Sequence, residues 1–213
     1  MLAVAESASA VFRLKFDGEN TWRGLLAAGR SARMGELNKM LAEVEGTAMI
    51  VRAVRATLES RADETVVVTG HEAPAVRDAL RGYDVRFVHN PDFADGMSTS
   101  VRAAVGAAGK AAGVIVALGD MPDVTSDHID RLIDAFAPDR GHSVVVPTFE
   151  GQRGNPVLWG AAHFSPMKKL RGDRGARRLI ETRAEQTRFV EMEDPGVLRD
   201  VDTPEALRTL REG

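Results

Sequence analysis

Three nearly unbroken runs of β-branched residues most constrain what this chain can become: "TVVVTG" at 65–70, "GVIVALGD" at 113–120 and "SVVVPT" at 143–148. A strand with one wet face alternates apolar and polar side chains, whereas a continuous Val/Ile run needs both faces covered. A fourth run, "VRFVHN" at 85–90, also reads as a strand. Between them lie segments of helical spacing at 47–60, 74–81, 98–108 and 126–136. In the last, Ile129, Leu132, Ile133 and Phe136 fall on one face. Strand and helix in repeated alternation predict an α/β fold, a three-layer α/β/α sandwich around a mostly parallel sheet. Beyond Gly151 the alternation loosens to a helix near 174–182, a short strand "TRFVEM" and a last helix from Pro204.

A chain of 213 residues fits one domain with a substantial core. Near its start, "VFRLKF" alternates like an edge strand, with Phe12, Leu14 and Phe16 on one side, and "DGENT" follows as a turn. The net charge of -3 predicts no general attraction to nucleic acid, so any cationic site must be local. The absence of cysteine excludes disulfides and thiolate metal sites. No apolar stretch approaches a membrane span, and "MLAVAESASAVFRLKF" lacks the charged start and apolar core of a secretory signal. The expectation is a cytoplasmic protein with neither nucleic-acid nor membrane partners.

In an open α/β sheet, ligands sit outside the carboxyl ends of the strands, so the residues just after each strand carry the chemistry. In "LLAAGRSARMGELNKM", residues 25–40, an apolar run ends at Gly29 and cations follow. The small Ala28 and Gly29 let backbone N–H groups approach an anion, and Arg33 and Lys39 could neutralise a triphosphate. The stretch is neither a Walker A motif nor G-x-G-x-x-G, and its other reading is a solvated glycine turn. In "ALGDMPDV", Asp120 stands where an apolar strand stops, a place from which a carboxylate can hold Mg²⁺ beside a nucleotide. Asp123 reads better as a turn residue or helix cap. Asp202, in "DVDTPEAL", is by itself explained as a cap or near-cap of the helix at Pro204; paired with Asp120 it would be a second metal ligand.

Gly96, Ser98 and Ser100, in "GMSTSVRAAV", precede a helix whose N-terminus would attract an anion or present hydroxyls to a base or sugar. A Ser/Thr cap is the equal alternative. Two glycine-rich turns, "GQRGNPVLWG" and "LRGDRGARRL", carry Arg153, Asp173, Arg174 and Arg177 and could receive an anionic second substrate, while some of the arginines near Arg177 and Arg178 are simply solvated. The histidines at 71, 89, 128, 142 and 163 show no paired metal-ligand spacing, and no G-x-S-x-G occurs, so a zinc site or a hydrolase triad has little support.

Taken in order, "LLAAGRSARMG…NK", "GMSTSVRAAV", "ALGDMP", "RGNPVLW", "GDRGARRL" and "DVDTPEAL" resemble the MobA-like NTP-transferase family, and within it the molybdenum cofactor cytidylyltransferases most. The likeness runs from about Gly24 to the end. It implies a GT-A-like, Rossmann-like nucleotidyltransferase domain over 21–213, with 1–20 as an N-terminal extension, and a Mg²⁺-dependent reaction. In such a reaction the terminal phosphate of a molybdopterin-type cofactor attacks the α-phosphate of CTP and pyrophosphate leaves. By the same resemblance Leu26, Ala27, Ala28 and Gly29 would lie against the nucleotide, with Arg33 and Lys39 on its phosphates. Gly96, Met97 and Ser98 would border the nucleoside, and Asp120 and Asp202 would hold the metal. Arg33, Lys39 and Asp120 would form the catalytic set; Arg153, Gly154, Asn155, Pro156, Asp173 and Arg177 would face the acceptor. A molybdenum hydroxylase or its maturation factor would be the recipient of the product.

The attacking group is already a phosphate, so no general base is needed and positioning with charge neutralisation suffices. Guanylyl members tend to read Leu-Ala-Gly-Gly where this chain has Leu26-Ala27-Ala28-Gly29. By that resemblance the extra methyl of Ala28 would narrow the base pocket and favour cytosine by about 1–3 kcal/mol. The chain departs from the family in two places: Thr21, Trp22, Arg23 and Gly24 stand where the apolar run of the first strand usually continues, and Ala48 stands where a proline is usual. GTP in place of CTP, or another phosphorylated acceptor such as a sugar phosphate or phospholactate, keeps the same chemistry. A non-catalytic cofactor-binding or delivery module is the alternative of another class, against which the joint presence of Lys39, Asp120 and Asp202 argues.

Overall fold

The structure, a computed structural model, describes residues 9–13, 22–27, 38–172 and 175–212. Its strands are β1 (Ser9–Arg13), β2 (Trp22–Ala27), β3 (Glu43–Val44), β4 (Thr47–Ala48), β5 (Thr65–Thr69), β6 (Arg86–His89), β7 (Gly113–Leu118), β8 (Val144–Phe149), β9 (Gln152–Arg153), β10 (Val157–Gly160) and β11 (Thr187–Glu191). The helices are α1 (Met49–Glu59), α2 (Ala73–Ala79), α3 (Met97–Ala107), α4 (Ser126–Ala135), α5 (Phe164–Met167), α6 (Gly175–Thr182) and α7 (Pro204–Glu212). No helix among the described residues is long and apolar enough to cross a membrane.

The Val/Ile runs are buried on both sides, as their composition requires. Every residue of β5 and of β7 is buried. Successive side chains on a strand point to opposite faces, and the two cores divide accordingly. Ile115 and Ala117 of β7, with Val67 of β5 and Val145 of β8, pack against Ile50 and Val54 of α1, Val76 of α2 and Ile129 and Leu132 of α4. Val114 and Val116, with Val68, Val144 and Val146, pack against Val101 and Val105 of α3, Phe164 and Met167 of α5 and Ile180 of α6. Helices therefore cover both faces, which gives the three layers the sequence predicts.

The sheet is mixed. β2 runs parallel to β5 and β7, β5 runs parallel to β6, and β8 runs parallel to β11. Between the two parallel groups lies β10, antiparallel to both β7 and β8. The sequence hid this strand because "VLWG" is four residues long, too short for any period to show. β1 is also not an edge strand: it runs antiparallel to β7, β5 and β2, inside the sheet. Alternation alone does not separate an edge from an interior strand, and Leu14 and Phe16 lie outside the described residues.

This arrangement collects the carboxyl ends of β2, β5, β6 and β7 on one rim, where the register aligns Leu26 with Leu118, Ala27 with Thr69, and Thr69 with His89. Ile115, fully buried in β7, braces that rim from the sheet's centre. We expect Ile115→Ala to lower the unfolding free energy by about 2–5 kcal/mol, read from urea denaturation, because the vacated volume lies between packed layers.

Candidate active site

Lys39 enters the site from a short 3-10 turn, Lys39–Leu41, that starts where the Asn38 side chain accepts a hydrogen bond from the Met40 backbone N–H. Asp120 lies two residues past β7, in the turn closed by the Met121 N–H donating to the Leu118 carbonyl. Asp202 arrives from the far end of the chain, brought in by the Val201 N–H, which donates to the Asp120 carbonyl at 2.9 Å. The three meet: Lys39 Nζ lies 2.6 Å from Asp120 Oδ2 and 2.6 Å from Asp202 Oδ1. Lys39 is 2 % exposed and Asp120 0 %, so this is a buried ion cluster rather than a surface bridge.

The helix-cap explanation of Asp202 does not hold. Thr203 Oγ1 accepts from the Ala206 N–H at 3.1 Å and is the side chain that caps α7, while Asp202 turns to Lys39. Asp123 is the turn residue the sequence suggests rather than a cap: it lies in the turn closed by the Val124 N–H donating to the Met121 carbonyl and pairs with Arg199, while Thr125 caps α4.

Burial dominates the electrostatics. It pushes the Asp120 carboxyl up to about 6, against the downward pull of Lys39, and the charges of Asp202 and Asp200 add to the rise. Burial works to lower the Lys39 pKa, yet the charge of and hydrogen bond to Asp120, then those of Asp202, outweigh it and keep the ammonium above its usual value. Asp200, two residues before Asp202, is raised by partial desolvation first and by Asp202 second.

Asp120 Oδ1 is buried and has no hydrogen-bond partner among the described residues. An orphaned carboxylate oxygen beside a second carboxylate is a donor set suited to a hard divalent ion, which takes few protein carboxylates and completes its shell with phosphate and water. Among the described residues no group of three or more His, Cys, Asp or Glu forms a fuller cage.

The remaining predicted residues divide. Leu26 and Ala27 end β2 on the same rim. Ala28, Gly29, Arg33 and Asp173 lie outside the described residues. Gly96, with φ 102°, opens α3 without any side-chain cap, and Met97 and Ser98 begin its first turn. Ser98 Oγ and Thr69 Oγ1 are both buried without a hydrogen-bond partner among the described residues. Ser100 accepts from Asn90 Nδ2 at 2.9 Å, and Thr99 from the same amide at 2.8 Å, so Asn90 ties the end of β6 to α3.

Gly154 is buried, and a Cβ there would overlap the Val197 carbonyl oxygen. The Asn155 N–H donates to that oxygen at 2.9 Å, and Pro156 follows, buried, across a cis peptide bond. Arg153 is exposed, its guanidinium 5.1 Å from the Phe189 ring centroid. Arg177 is exposed on α6, and no interaction among the described residues joins it to the 153–156 loop.

Sequence reasoning passed over Thr69, Asn90 and Asp200. Each stood in a quoted stretch: Thr69 and Asn90 at strand ends, and Asp200 at a spacing of two from Asp202, which puts both on one side of extended chain.

The family described as "MobA-like NTP transferase domain" matches residues 24–188. The purine catabolism protein PucB of Bacillus subtilis is 29% identical over 196 residues, covering 87% of this chain and 93% of that protein. Nicotine blue oxidoreductase of Paenarthrobacter nicotinovorans is 29% identical over 87% of this chain and 94% of its own length. Molybdenum cofactor cytidylyltransferase of Escherichia coli is 28% identical over 88% and 94%. Among solved structures, Rv0371c of Mycobacterium tuberculosis superposes with a TM-score of 0.77 at 26% identity, covering 88% of this chain and 95% of that one. A manganese complex of Rv0371c superposes with a TM-score of 0.73 at 25% identity, over 87% and 95%. A nucleotidyl transferase from Methanothermobacter superposes at 0.76 and 26%, over 87% and 93%.

Removing the ammonium leaves a fully buried carboxylate beside a second one. Lys39→Met should therefore cost about 3–5 kcal/mol of stability at neutral pH. The sign with pH follows from Asp120, whose folded pKa already exceeds its ordinary 3.8 and rises further once Lys39 is gone. Between that higher value and pH 6 the folded variant keeps a proton that folded wild type has released, so the deficit is largest at alkaline pH and shrinks as pH falls toward 6, below which both proteins hold the proton. Urea melts of wild type and variant at several pH values check this, and Mn²⁺ should recover part of the loss.

Proposed function

Because the chain belongs to the MobA-like NTP transferase family and is a nucleotidyltransferase, we propose that it transfers CMP from CTP to the terminal phosphate of a molybdopterin-type cofactor. The acceptor phosphate oxygen forms a bond to the α-phosphorus, the α–β phosphoanhydride bond breaks, and pyrophosphate leaves. The observation that carries the reading is the single Lys39 ammonium 2.6 Å from each of Asp120 and Asp202. It gathers one cation and two carboxylates from three distant parts of the chain at the rim where an α/β sheet binds its ligands.

Mg²⁺ held by Asp120 and Asp202 would neutralise and orient the phosphates of the nucleotide. The manganese complex of the related Rv0371c supports a divalent requirement. Lys39, at the same point, counters the charge that develops on the leaving pyrophosphate, with Arg33 and the backbone at Ala28 and Gly29 on the other phosphates. Leu26 and Ala27 lie under the nucleotide, and Gly96, Met97 and Ser98 border the nucleoside. Arg153, Gly154, Asn155 and Pro156, with Asp173 and Arg177, serve the acceptor. The reaction belongs in the cytoplasm, with a molybdenum hydroxylase or its maturation factor receiving the product.

A second reading keeps the chemistry and changes the substrates. PucB and nicotine blue oxidoreductase are as similar to this chain as the cytidylyltransferase is. Transfer from GTP, or to another phosphorylated small molecule, is the form it takes.

Pyrophosphate release measured with Mg²⁺ and molybdenum cofactor, comparing CTP, GTP, ATP and UTP, separates these readings. Release with CTP alone is expected; release with GTP would overturn the base assignment, and silence with all four would remove this acceptor. Asp120→Ala should still bind nucleotide while turnover falls by about 10²–10³-fold or more. An Asp120→Ala enzyme as fast as wild type would sink the metal role. Lys39→Ala should slow turnover even at saturating CTP.

A further inference from the structure

We propose that His128 is a positioning residue: through Asp194 it fixes the segment 194–202, which sets the place of Asp202 and of the acceptor-side loop. This rests on the reading above, in which Asp202 helps to hold a divalent ion.

His128 is the third residue of α4, 5 % exposed, and its ring is used at both nitrogens. The Thr125 N–H donates to His128 Nδ1 at 3.2 Å, in a capping box completed by the His128 N–H donating to Thr125 Oγ1. Nδ1 is thus the acceptor, so the neutral ring carries its proton on Nε2. Nε2 lies 3.1 Å from Asp194 Oδ2 and donates to it. The other oxygen of the same carboxylate, Oδ1, accepts from the Gly196 N–H at 2.7 Å. Asp194 therefore joins a rigid helix start to the first turn of the 194–202 segment.

That segment touches the site twice. The Val197 carbonyl receives the Asn155 N–H at 2.9 Å and rests against Gly154, so it is the shelf for the 153–156 loop. The Val201 N–H donates to the Asp120 carbonyl, one residue before Asp202 reaches Lys39. Close packing holds the rest: a Cβ on Gly196 would stand 2.6 Å from the Asp123 carbonyl oxygen and 3.0 Å from His128 Cε1. Arg199 pairs with Asp123, and Arg131 with Glu193, on the exposed side. Exposed pairs add little, whereas the hydrogen bond from buried His128 ties the segment to α4 among the described residues.

The two functions of the ring separate by substitution. Asparagine places an oxygen near Nδ1 and keeps the cap; glutamine places an N–H near Nε2 and keeps the bond to Asp194. Asp194→Asn keeps an acceptor for Gly196, turns an N–H toward Nε2, and leaves α4 untouched. The measurements are Mn²⁺ affinity by electron paramagnetic resonance, amide exchange at Gly196 and Val201 by NMR, and kcat and KM for pyrophosphate release. His128→Asn and Asp194→Asn should each weaken Mn²⁺ binding by about tenfold, speed exchange of the Val201 amide and lower kcat. His128→Gln should stay close to wild type in all three, its amide N–H standing in for Nε2 while Thr125 Oγ1 still caps α4. Should His128→Asn fail to fold, Asp194→Asn, altered at an exposed carboxylate, carries the same test. A positioning role is overturned when His128→Asn and Asp194→Asn match wild type in Mn²⁺ affinity and Val201 exchange, or when His128→Gln is the impaired variant. If the wild-type protein releases no pyrophosphate with any nucleotide, the functional reading fails; exchange at Val201 still decides the role of His128.

Discussion

Full burial of Asp120 is the constraint around which the rest of the site is arranged. A carboxylate without access to water is tolerated only beside a partner of opposite charge. Lys39 supplies that partner from 81 residues away, and Asp202 completes the cluster from 163 residues beyond Lys39. The chain must therefore close on itself before the site exists. α7 performs part of that closure: Val201 and Leu207 pack with Val44 and Met49, and Arg211 Nε donates to the Glu43 carbonyl at 2.8 Å. The C-terminal helix thus holds the segment that delivers Lys39.

The sheet contributes stiffness rather than chemistry. β7 places Asp120 at its end and carries one core on each face, so a shift of this strand would disturb both helical layers at once. The antiparallel β10, inserted between β7 and β8, returns the chain beside Asp120's own strand and brings the 153–156 loop to the shelf at Val197. Asp120 and the 153–156 loop are consequently carried by neighbouring strands of one sheet.

Much of this was legible in the sequence. The Val/Ile runs announced doubly covered strands, and helix α4 begins and ends within a residue of its predicted span because its apolar face is regular. Asp120 was conspicuous for a simple reason: an acidic residue that ends an apolar strand has few explanations. Asp202 was less legible, since Thr203 and Pro204 offered a sufficient local account as a helix start, and only the fold shows Thr203 taking the cap. Lys39 was read as a phosphate ligand from its place in a glycine-rich stretch; its hold on both carboxylates is a long-range pairing that no local pattern encodes. His128 shows no metal-ligand spacing, and its contact with Asp194, 66 residues away, is a long-range pairing that no local pattern reveals. β10 escaped because four buried residues carry no period.

Two glycines bear on how this scaffold can be altered. Gly154 and Gly196 stand where main chain meets main chain, against Val197 and Asp123, with no room for a methyl group. Substitution at either position moves backbone, not merely side chains, so both are poor targets for reshaping this part of the surface. Arg153 and Asn155 flank the fixed point at Gly154, and their side chains can be exchanged without disturbing that contact. A library aimed at this loop has its freedom on either side of a locked hinge pin, and variation at the pin itself would be spent on misfolded protein.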